Sequence, residues 1–406
     1  MSAHFAEREP RVLAFLPEDG RFERLRRESE ALEARYPDPS HRPPLFGVPV
    51  GVKDIFHVRG FTTRAGSRLP PEVLQGDEGP AVAALRAAGA LFLGKTVSTE
   101  FAYFAPGPTL NPRNPEHTPG GSSSGSAAAV GAGLCPLAIG TQTIGSIIRP
   151  AAYCGVVGFK PSYDRISRDG LIPLAPSFDH VGLFAPDVPG IARAASVLCR
   201  DWRPANARST TSGKPRLGIP EGPYLESAYP EGIVHFRGVA KNLAAAGFEV
   251  VPVPMFADFP EIAARHRRIV AAECARVHAN WFPRFRPLYA PQTIELIERG
   301  QAISDDDLAR DLEVSAALKP EIEAAMDSEG VDLWISPPAQ GPAPHGLAST
   351  GDPVMNIPWT QAGVPVLCVP AGESAQGLPM GLQVAGRFGR DEELLEFGRR
   401  EFEFGG

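Results

Sequence analysis

A short run of glycine and serine carries hydroxyl groups that could attack a carbonyl carbon. Gly121-Ser122-Ser123-Ser124-Gly125 fits the pattern GxSxG, in which the central serine is the nucleophile of an α/β-hydrolase. Ser123 would then be the nucleophile, and Asp332 and His345 follow it in the chain order of such a triad. The nucleophile of that fold must directly follow a strand, whereas the preceding NPRNPEHTPG contains three prolines and cannot be a central strand. The sequence therefore disfavours this arrangement.

A second pattern could bind a phosphate. Residues 89–96, GALFLGKT, fit the written P-loop pattern, with Lys95 as phosphate ligand and Thr96 as magnesium ligand. A P-loop needs the residues between its glycines to wrap the phosphate after a strand, whereas ALFL is apolar and itself predicts a buried strand. We therefore expect a strand that ends in a turn.

The run GGSSSGS at residues 120–126 also has the composition of a flexible linker. A compact small-residue segment, SAAAVGAGL, follows at once and predicts a helix, and PLAIG after it predicts a strand. These neighbours place the run inside a folded core.

The stretch from Gly120 to Lys160, GGSSSGSAAAVGAGLCPLAIGTQTIGSIIRPAAYCGVVGFK, resembles the signature of the amidase signature family. Further matches are GVPVGVKDIF, GKTVSTEFAY and LNPRNP upstream and GLIPLAPSFDHVG downstream, so the strong resemblance covers about residues 45–187. A weaker similarity continues in DLWISPPAQGPAP and STGDPVMNIPWTQAGVPVLCVPAG. Within the family, TQT, GSIIRPAAYCG and LASTGDP look most like the malonamidases.

This resemblance implies an amidohydrolase that cleaves the C–N bond of a small amide to an acid and ammonia through an acyl-enzyme. By the family's motif, Ser146 matches the attacking serine, Ser122 the bridging serine and Lys53 the terminal base. The family has a cis peptide before the bridging serine, so a cis bond between Gly121 and Ser122 is expected. A lysine is a base only when neutral, and the apolar run VPVGVKDIF around Lys53 is consistent with the burial that lowers a lysine pKa.

The turn after the strand PLAIG matches the family's oxyanion hole, whose backbone N–H groups face the developing negative charge. Its residues are Thr143, Ile144, Gly145 and Ser146. Ile144 stands where relatives often have glycine or alanine, so a narrower pocket is expected.

Arg149 lies three residues beyond Ser146 and matches an arginine that malonamidase-like proteins use to bind the substrate. A guanidinium can hold a carboxylate with two parallel hydrogen bonds, so our hypothesis is a small amide that bears a free carboxylate. The alternative is a structural arginine paired with Asp54 or Asp352.

Other functions share the signature. A glutaminase subunit of an amidotransferase is one, although those subunits usually carry arginine two residues after the nucleophile, whereas here the order is Ser-Ile-Ile-Arg at residues 146–149. A binding protein that has lost catalysis is another, and retention of Lys53, Ser122 and Ser146 together argues against it. Hydrolysis of a urea or a carbamate stays open.

The composition fits an enzyme that acts on small molecules. A net charge of -7 without a long basic run predicts neither a nucleic acid nor a membrane partner, and a homodimer stays open. The five cysteines lack CxxC or zinc-ligand spacing, so we expect reduced thiols, no metal and no cofactor. Charges and proline interrupt the first twenty residues, which predicts no secretory signal and a cytoplasmic protein.

Short apolar runs alternate with helical periodicity along the chain, which predicts an α/β/α sandwich around a large mixed β-sheet, the fold that the resemblance also implies. We expect one domain over residues 1–406, with an N-terminal helical segment at 1–40, the signature core at 120–160 and a variable helical region at 260–328. Expected strands include 47–53, 333–338, 366–371 and 382–386.

Overall fold

The computed structural model describes residues 1–204 and 214–402, and its centre is one mixed sheet. The strands of this sheet are β1 (Pro49–Lys53), β2 (Leu91–Thr96), β3 (Leu137–Gln142), β4 (Val157–Lys160), β5 (His180–Ala185), β6 (Leu217–Glu221), β7 (Val250–Pro254), β8 (Leu333–Ser336), β9 (Val366–Glu373) and β10 (Pro379–Ala385). Their order across the sheet is β2-β1-β3-β5-β4-β9-β10-β8-β6-β7.

Helices pack on the sheet in two groups. One group is α4 (Ser124–Gly131) with α5 (Ile148–Cys154), which contact each other and the central strands, and the other is α3 (Pro80–Ala87), α6 (Val188–Leu198) and α14 (Asp391–Glu401). The helices are α1 (Ser2–Arg8), α2 (Arg21–Arg35), α3 (Pro80–Ala87), α4 (Ser124–Gly131), α5 (Ile148–Cys154), α6 (Val188–Leu198), α7 (Pro230–Ala245), α8 (Phe259–Val277), α9 (Phe282–Phe285), α10 (Pro291–Gln301), α11 (Asp305–Ala316), α12 (Leu318–Glu329), α13 (Ile357–Gln361) and α14 (Asp391–Glu401).

The central strands are covered on both faces. Every residue of β3, β4 and β5 is buried, which is the pattern of strands that have helices above and below them. The mixed α/β fold predicted from the sequence is therefore confirmed. No helix among the described residues is long and apolar enough to cross a membrane.

Parallel pairing at one side of the sheet brings the chemistry together. β1 lies between β2 and β3 and runs parallel to both, with Val52 opposite Lys95 on one side and Ile139 on the other. The carboxyl ends of parallel strands meet at one edge of the sheet. Lys53, the last residue of β1, therefore lies near the end of β3, from which the turn at residues 143–146 continues.

Candidate active site

The glycine-serine run forms a tight turn between the prolines before it and helix α4. Gly120 and Gly121 have φ angles of 80° and 62°, which glycine adopts without the steric cost that other residues incur. A Cβ atom at Gly121 would lie 2.7 Å from Pro150 Cγ, so glycine is also required by space. The expected cis bond before Ser122 is wrong, since no peptide bond of the described residues is cis. The two left-handed glycines turn the chain instead.

Ser146 lies in the turn between β3 and α5, against the start of the Ser122 segment. The backbone N–H of Ser122 donates a hydrogen bond to Ser146 Oγ at 3.0 Å. Lys53 Nζ lies 2.7 Å from Ser122 Oγ. Ser122 is therefore in contact with Lys53, which is 69 positions away in the chain, and with Ser146, which is 24 positions away. The structure brings Lys53, Ser122 and Ser146 into one chain of contacts.

Lys53 is fully buried, with a relative exposure of 0%. Its Nζ donates to Ser122 Oγ and to Thr141 Oγ1, each at 2.7 Å. Burial disfavours the charged ammonium and lowers the pKa of Lys53 to about 7, while the negative charge of Asp179 acts in the opposite direction. Near neutral pH a large fraction of Lys53 is therefore a neutral amine.

Asp179, which sequence reasoning did not select, is the carboxylate that acts on Lys53. It accepts hydrogen bonds from Thr143 Oγ1 at 2.5 Å and from the N–H of Leu174 at 3.0 Å. Burial raises the pKa of Asp179 to about 6, and these hydrogen bonds limit the rise. Its only sequence signal is a place in the family-like run GLIPLAPSFDHVG, directly before β5.

The turn at residues 143–146 is held in place by hydrogen bonds that two of its carbonyl groups accept. His266 Nε2 donates to Thr143 O at 3.1 Å, and Thr360 Oγ1 donates to Ile144 O at 2.7 Å. The N–H groups of Ile144, Gly145 and Ser146 donate to no residue in the described part of the chain. Donors of this kind are what a developing oxyanion requires.

Gln142 fixes the other end of this turn. Its Oε1 accepts from the N–H of Ile147 at 2.8 Å and from that of Ile148 at 3.0 Å, and its Nε2 donates to Thr360 Oγ1 at 2.9 Å. Gly145 must be glycine, because a Cβ atom there would lie 2.2 Å from Asn356 Oδ1.

The residues of the two rival motifs, the GxSxG pattern and the P-loop pattern, have structural roles. Ser123 Oγ is buried and donates to Thr141 O at 3.0 Å, Asp332 Oδ2 accepts from the N–H of Arg216 at 2.7 Å, and His345 packs against His117. The rejection of the P-loop is confirmed, because residues 91–96 form β2 and Lys95 pairs with Asp54 at 2.8 Å.

Arg149 is only 1% exposed, and its guanidinium is largely unpaired. Nη2 donates to Thr350 Oγ1 at 3.2 Å, whereas Nε and Nη1 have no hydrogen-bond partner among the described residues. Asp54 is paired with Lys95, and the carboxylate of Asp352 lies 3.9 Å from Arg267. Arg149 itself forms no ion pair with a described carboxylate, and burial lowers its pKa.

A cavity of about 450 Å³ opens beside the turn. Ile144, 7% exposed, forms part of its wall, and Thr350 connects the wall to Arg149. Helices α8 and α10, the loop at residues 103–104 and the segment 348–353 complete the lining. The branched side chain of Ile144 thus lies in the cavity wall, while the narrower pocket expected from it stays a prediction.

Comparison with known proteins defines the class. The family model described as Amidase matches residues 20–395, and the chain belongs to this family. An amidase crystal structure superposes with a TM-score of 0.87 at 32% identity, covering 98% of this chain and 93% of that one. The structure of 6-aminohexanoate cyclic dimer hydrolase with its substrate gives 0.84 at 25% identity, covering 98% and 91%. The protein is therefore an amide-hydrolysing enzyme.

A curated relative narrows the comparison. It is one of the subunits of the glutamyl-tRNA(Gln) amidotransferase of Synechococcus sp. (strain WH7803), and it is 34% identical in an alignment of 439 positions that covers 96% of this chain and 89% of the relative. The family predicted from the signature is confirmed, while the finer similarity to malonamidases stays a prediction.

Proposed function

We propose that the enzyme hydrolyses a small amide through an acyl-enzyme, with Ser146 as nucleophile, Ser122 as proton relay and Lys53 as base. Two observations carry this proposal: Lys53 Nζ lies 2.7 Å from Ser122 Oγ, and the backbone N–H of Ser122 donates to Ser146 Oγ at 3.0 Å, which holds the nucleophile beside the relay serine. Serine is a weak nucleophile unless a base receives its proton.

The protonation state of Lys53 sets the direction of the relay. A neutral amine keeps a lone pair, so it can accept the Ser122 hydroxyl proton while it still donates to Thr141 Oγ1. Ser122 Oγ then accepts the proton of Ser146 as Ser146 Oγ attacks the carbonyl carbon. The same path returns the proton to the departing nitrogen, and water repeats the sequence on the acyl-enzyme.

The oxyanion of the tetrahedral intermediate would be bound by the free N–H groups of the turn at residues 143–146. Hydrogen bonds to the carbonyls of Thr143 and Ile144 hold the opposite side of that turn, so its donors are oriented before the substrate arrives. Such preorganised donors commonly contribute 10²- to 10³-fold to kcat, as an order of magnitude.

Arg149 supports a substrate that carries a free carboxylate. A buried guanidinium with two unpaired donor nitrogens is costly unless a ligand supplies the missing acceptors. Of the two acids proposed as structural partners, Asp54 pairs with Lys95, and Asp352 acts on Arg149 through its charge without forming an ion pair with it. A carboxylate near the scissile amide would satisfy Arg149, which is the malonamidase-like specificity that the sequence suggests.

A second candidate is a glutaminase subunit that supplies ammonia within a complex. The observation in its favour is the 34% identity to a component of the glutamyl-tRNA(Gln) amidotransferase. The position of Arg149, three rather than two residues after the nucleophile, argues for the small-amide enzyme. Ureas and carbamates are further substrate classes for the same chemistry.

Ammonia release by the purified protein tests these alternatives. Malonamate, other small amides, glutamine, a urea and a carbamate would be compared, each with the Ser146→Ala variant as the blank. Serine-dependent turnover that is fastest on a small amide supports the proposal. Turnover of glutamine alone would replace it with the glutaminase function, and ammonia release that survives in Ser146→Ala would contradict the assigned nucleophile.

A further inference from the structure

The cavity beside Ile144 is larger than a three-carbon amide needs. Its volume of about 450 Å³ lies in the range of pockets that bury drug-sized ligands. Apart from Ile144 and the segment 348–353, its wall is formed by Tyr103, Phe104, Arg267 and Arg299 together with apolar side chains of α8 and α10, which we call the outer part of the cavity. A substrate that fills it must extend well beyond the reacting amide.

This outer part is positively charged. Arg267 and Arg299 line it, against the single lining carboxylate of Asp352. Asp352 Oδ1 already accepts from the N–H of Val354 at 2.9 Å and lies 3.9 Å from Arg267. Arg299 lies beside the Tyr103 hydroxyl, on which the charge of Glu295 also acts, and it forms no ion pair with a carboxylate of the described residues. Its guanidinium is therefore available to an anion.

Close packing fixes where Arg299 lies. The next residue, Gly300, brings α10 so near to α8 that a Cβ atom there would lie 1.9 Å from Ala271 O. An α10 docked this tightly cannot shift without losing that contact. The backbone that carries Arg299 is thus placed by the fold and not by the charge.

The aromatic wall is tied to the same helix. Glu100 accepts from the N–H of Ala290 at 2.8 Å and from Thr293 Oγ1 at 2.5 Å, both at the start of α10. Next to Glu100, Phe101 has a φ of 47°, a strained conformation that persists where the surroundings require it. The chain then presents Tyr103 and Phe104 as a stacked pair with ring centroids 4.4 Å apart.

We propose that the outer cavity is a distal subsite for an anionic group of the substrate, with Arg299 as its cation and the Tyr103–Phe104 pair packing against the portion in between. Beside the short acidic amides that Arg149 would bind, the substrates then include elongated amides whose second polar end is a carboxylate or phosphate several bonds from the scissile C–N bond. This inference rests on the proposed function, because the cavity is defined relative to the turn that precedes Ser146.

Monoamides of dicarboxylic acids of increasing length test the subsite. The kcat/KM for ammonia release from adipamate and suberamate would be compared with that from their methyl esters, which are similar in length and lack the charge. Because Arg299 is exposed, we expect the wild type to prefer the long acids by about fivefold at low salt, and to lose this preference at high salt. Arg299→Gln should abolish the preference and Arg299→Lys should keep part of it.

Arg310→Gln is the matched control, since Arg310 is an exposed arginine on α11 that pairs with Asp307 and does not line the cavity. It should retain the wild-type preference. Equal kcat/KM on acids and esters, a preference that persists in Arg299→Gln, or turnover of malonamate without turnover of the long amides would each overturn the subsite. Hydrolysis of the neutral esters' amide bond that survives in Ser146→Ala would instead overturn the proposed function.

Discussion

Asp179 acts on Lys53 inside the core: both residues are buried, burial lowers the pKa of Lys53, the Asp179 carboxylate raises it, and the resulting pKa is about 7. The opposition is useful to a base, since burial alone would make the amine neutral but too weak to hold a proton. Asp179 is therefore a tuning group for Lys53.

The first prediction concerns pH. Lys53 accepts a proton only when neutral, so kcat/KM should rise with pH through about 7 and level off above it. Asp179→Asn removes the charge that favours the ammonium, so the rising limb should move to lower pH. The control is Asp391→Asn, a buried carboxylate that binds Ser162. If the rising part of the pH profile were unchanged in Asp179→Asn, Asp179 would have no influence on the pKa of the base.

The second prediction ranks the serines. Ser146→Ala should reduce turnover to background, and Ser122→Ala and Lys53→Ala should each cost about 10²- to 10⁴-fold in kcat. Ser123→Ala should cost less than any of them, because its hydroxyl binds only the backbone of Thr141. Steady-state kinetics with thermal melting as a folding check measures this ranking. A dead Ser123→Ala beside an active Ser146→Ala would restore the α/β-hydrolase interpretation.

The third prediction concerns Thr360, whose hydroxyl links Gln142 Nε2 at 2.9 Å to Ile144 O at 2.7 Å. Thr360→Val keeps the shape and removes both hydrogen bonds, so the turn at residues 143–146 should lose its alignment. We expect kcat to fall by about tenfold or more with little change in KM, because the donors act on the transition state.

Thr360→Ser keeps the hydroxyl and is the matched control. It should retain most of the wild-type kcat. If both variants lost kcat equally, or if only KM changed, the hydroxyl would have no part in holding the turn.

Much of the strand pattern could be predicted from short apolar runs bounded by glycine and proline. The run expected at residues 47–53 is β1 at Pro49–Lys53, and that expected at 366–371 is β9 at Val366–Glu373. The segment 260–328 falls mainly in α8 to α12. Local sequence suffices in these places because burial and periodicity agree.

Strands β4 and β5 were missed because glycine interrupts both and weakens a strand pattern. The structure shows why glycine is needed there. A Cβ atom at Gly158 would lie 2.5 Å from Ala151 Cβ in α5, and one at Gly182 would lie 2.7 Å from Phe159 O. The requirement comes from tertiary packing, which local propensity does not contain.

The residues of the site likewise divide into those that the sequence could identify and those that it could not. Lys53, Ser122 and Ser146 could be selected because they lie in recognisable motifs, and the structure brings them together. Thr360 and His266 could not, since each acts on the turn from more than a hundred residues away, through one hydrogen bond to a backbone carbonyl. A polar residue in a distant helix carries no local sign of such a contact.

The last prediction concerns Arg149 and the carboxylate near the scissile bond. Nε and Nη1 of Arg149 lack partners among the described residues, so a bound carboxylate would complete their hydrogen bonds in a closed site. Hydrogen bonds to a charged group of this kind contribute about 1.5 to 3 kcal/mol, which is roughly tenfold to more than a hundredfold in discrimination.

The measurement is kcat/KM for malonamate and for neutral malonamide, in wild type, Arg149→Gln and Arg149→Lys. We expect Arg149→Gln to lose activity selectively on malonamate and Arg149→Lys to recover part of it, because lysine restores the charge without the paired geometry. Equal losses on both substrates, with a lowered Tm, would show that Arg149 stabilises the fold and does not recognise the substrate's carboxylate.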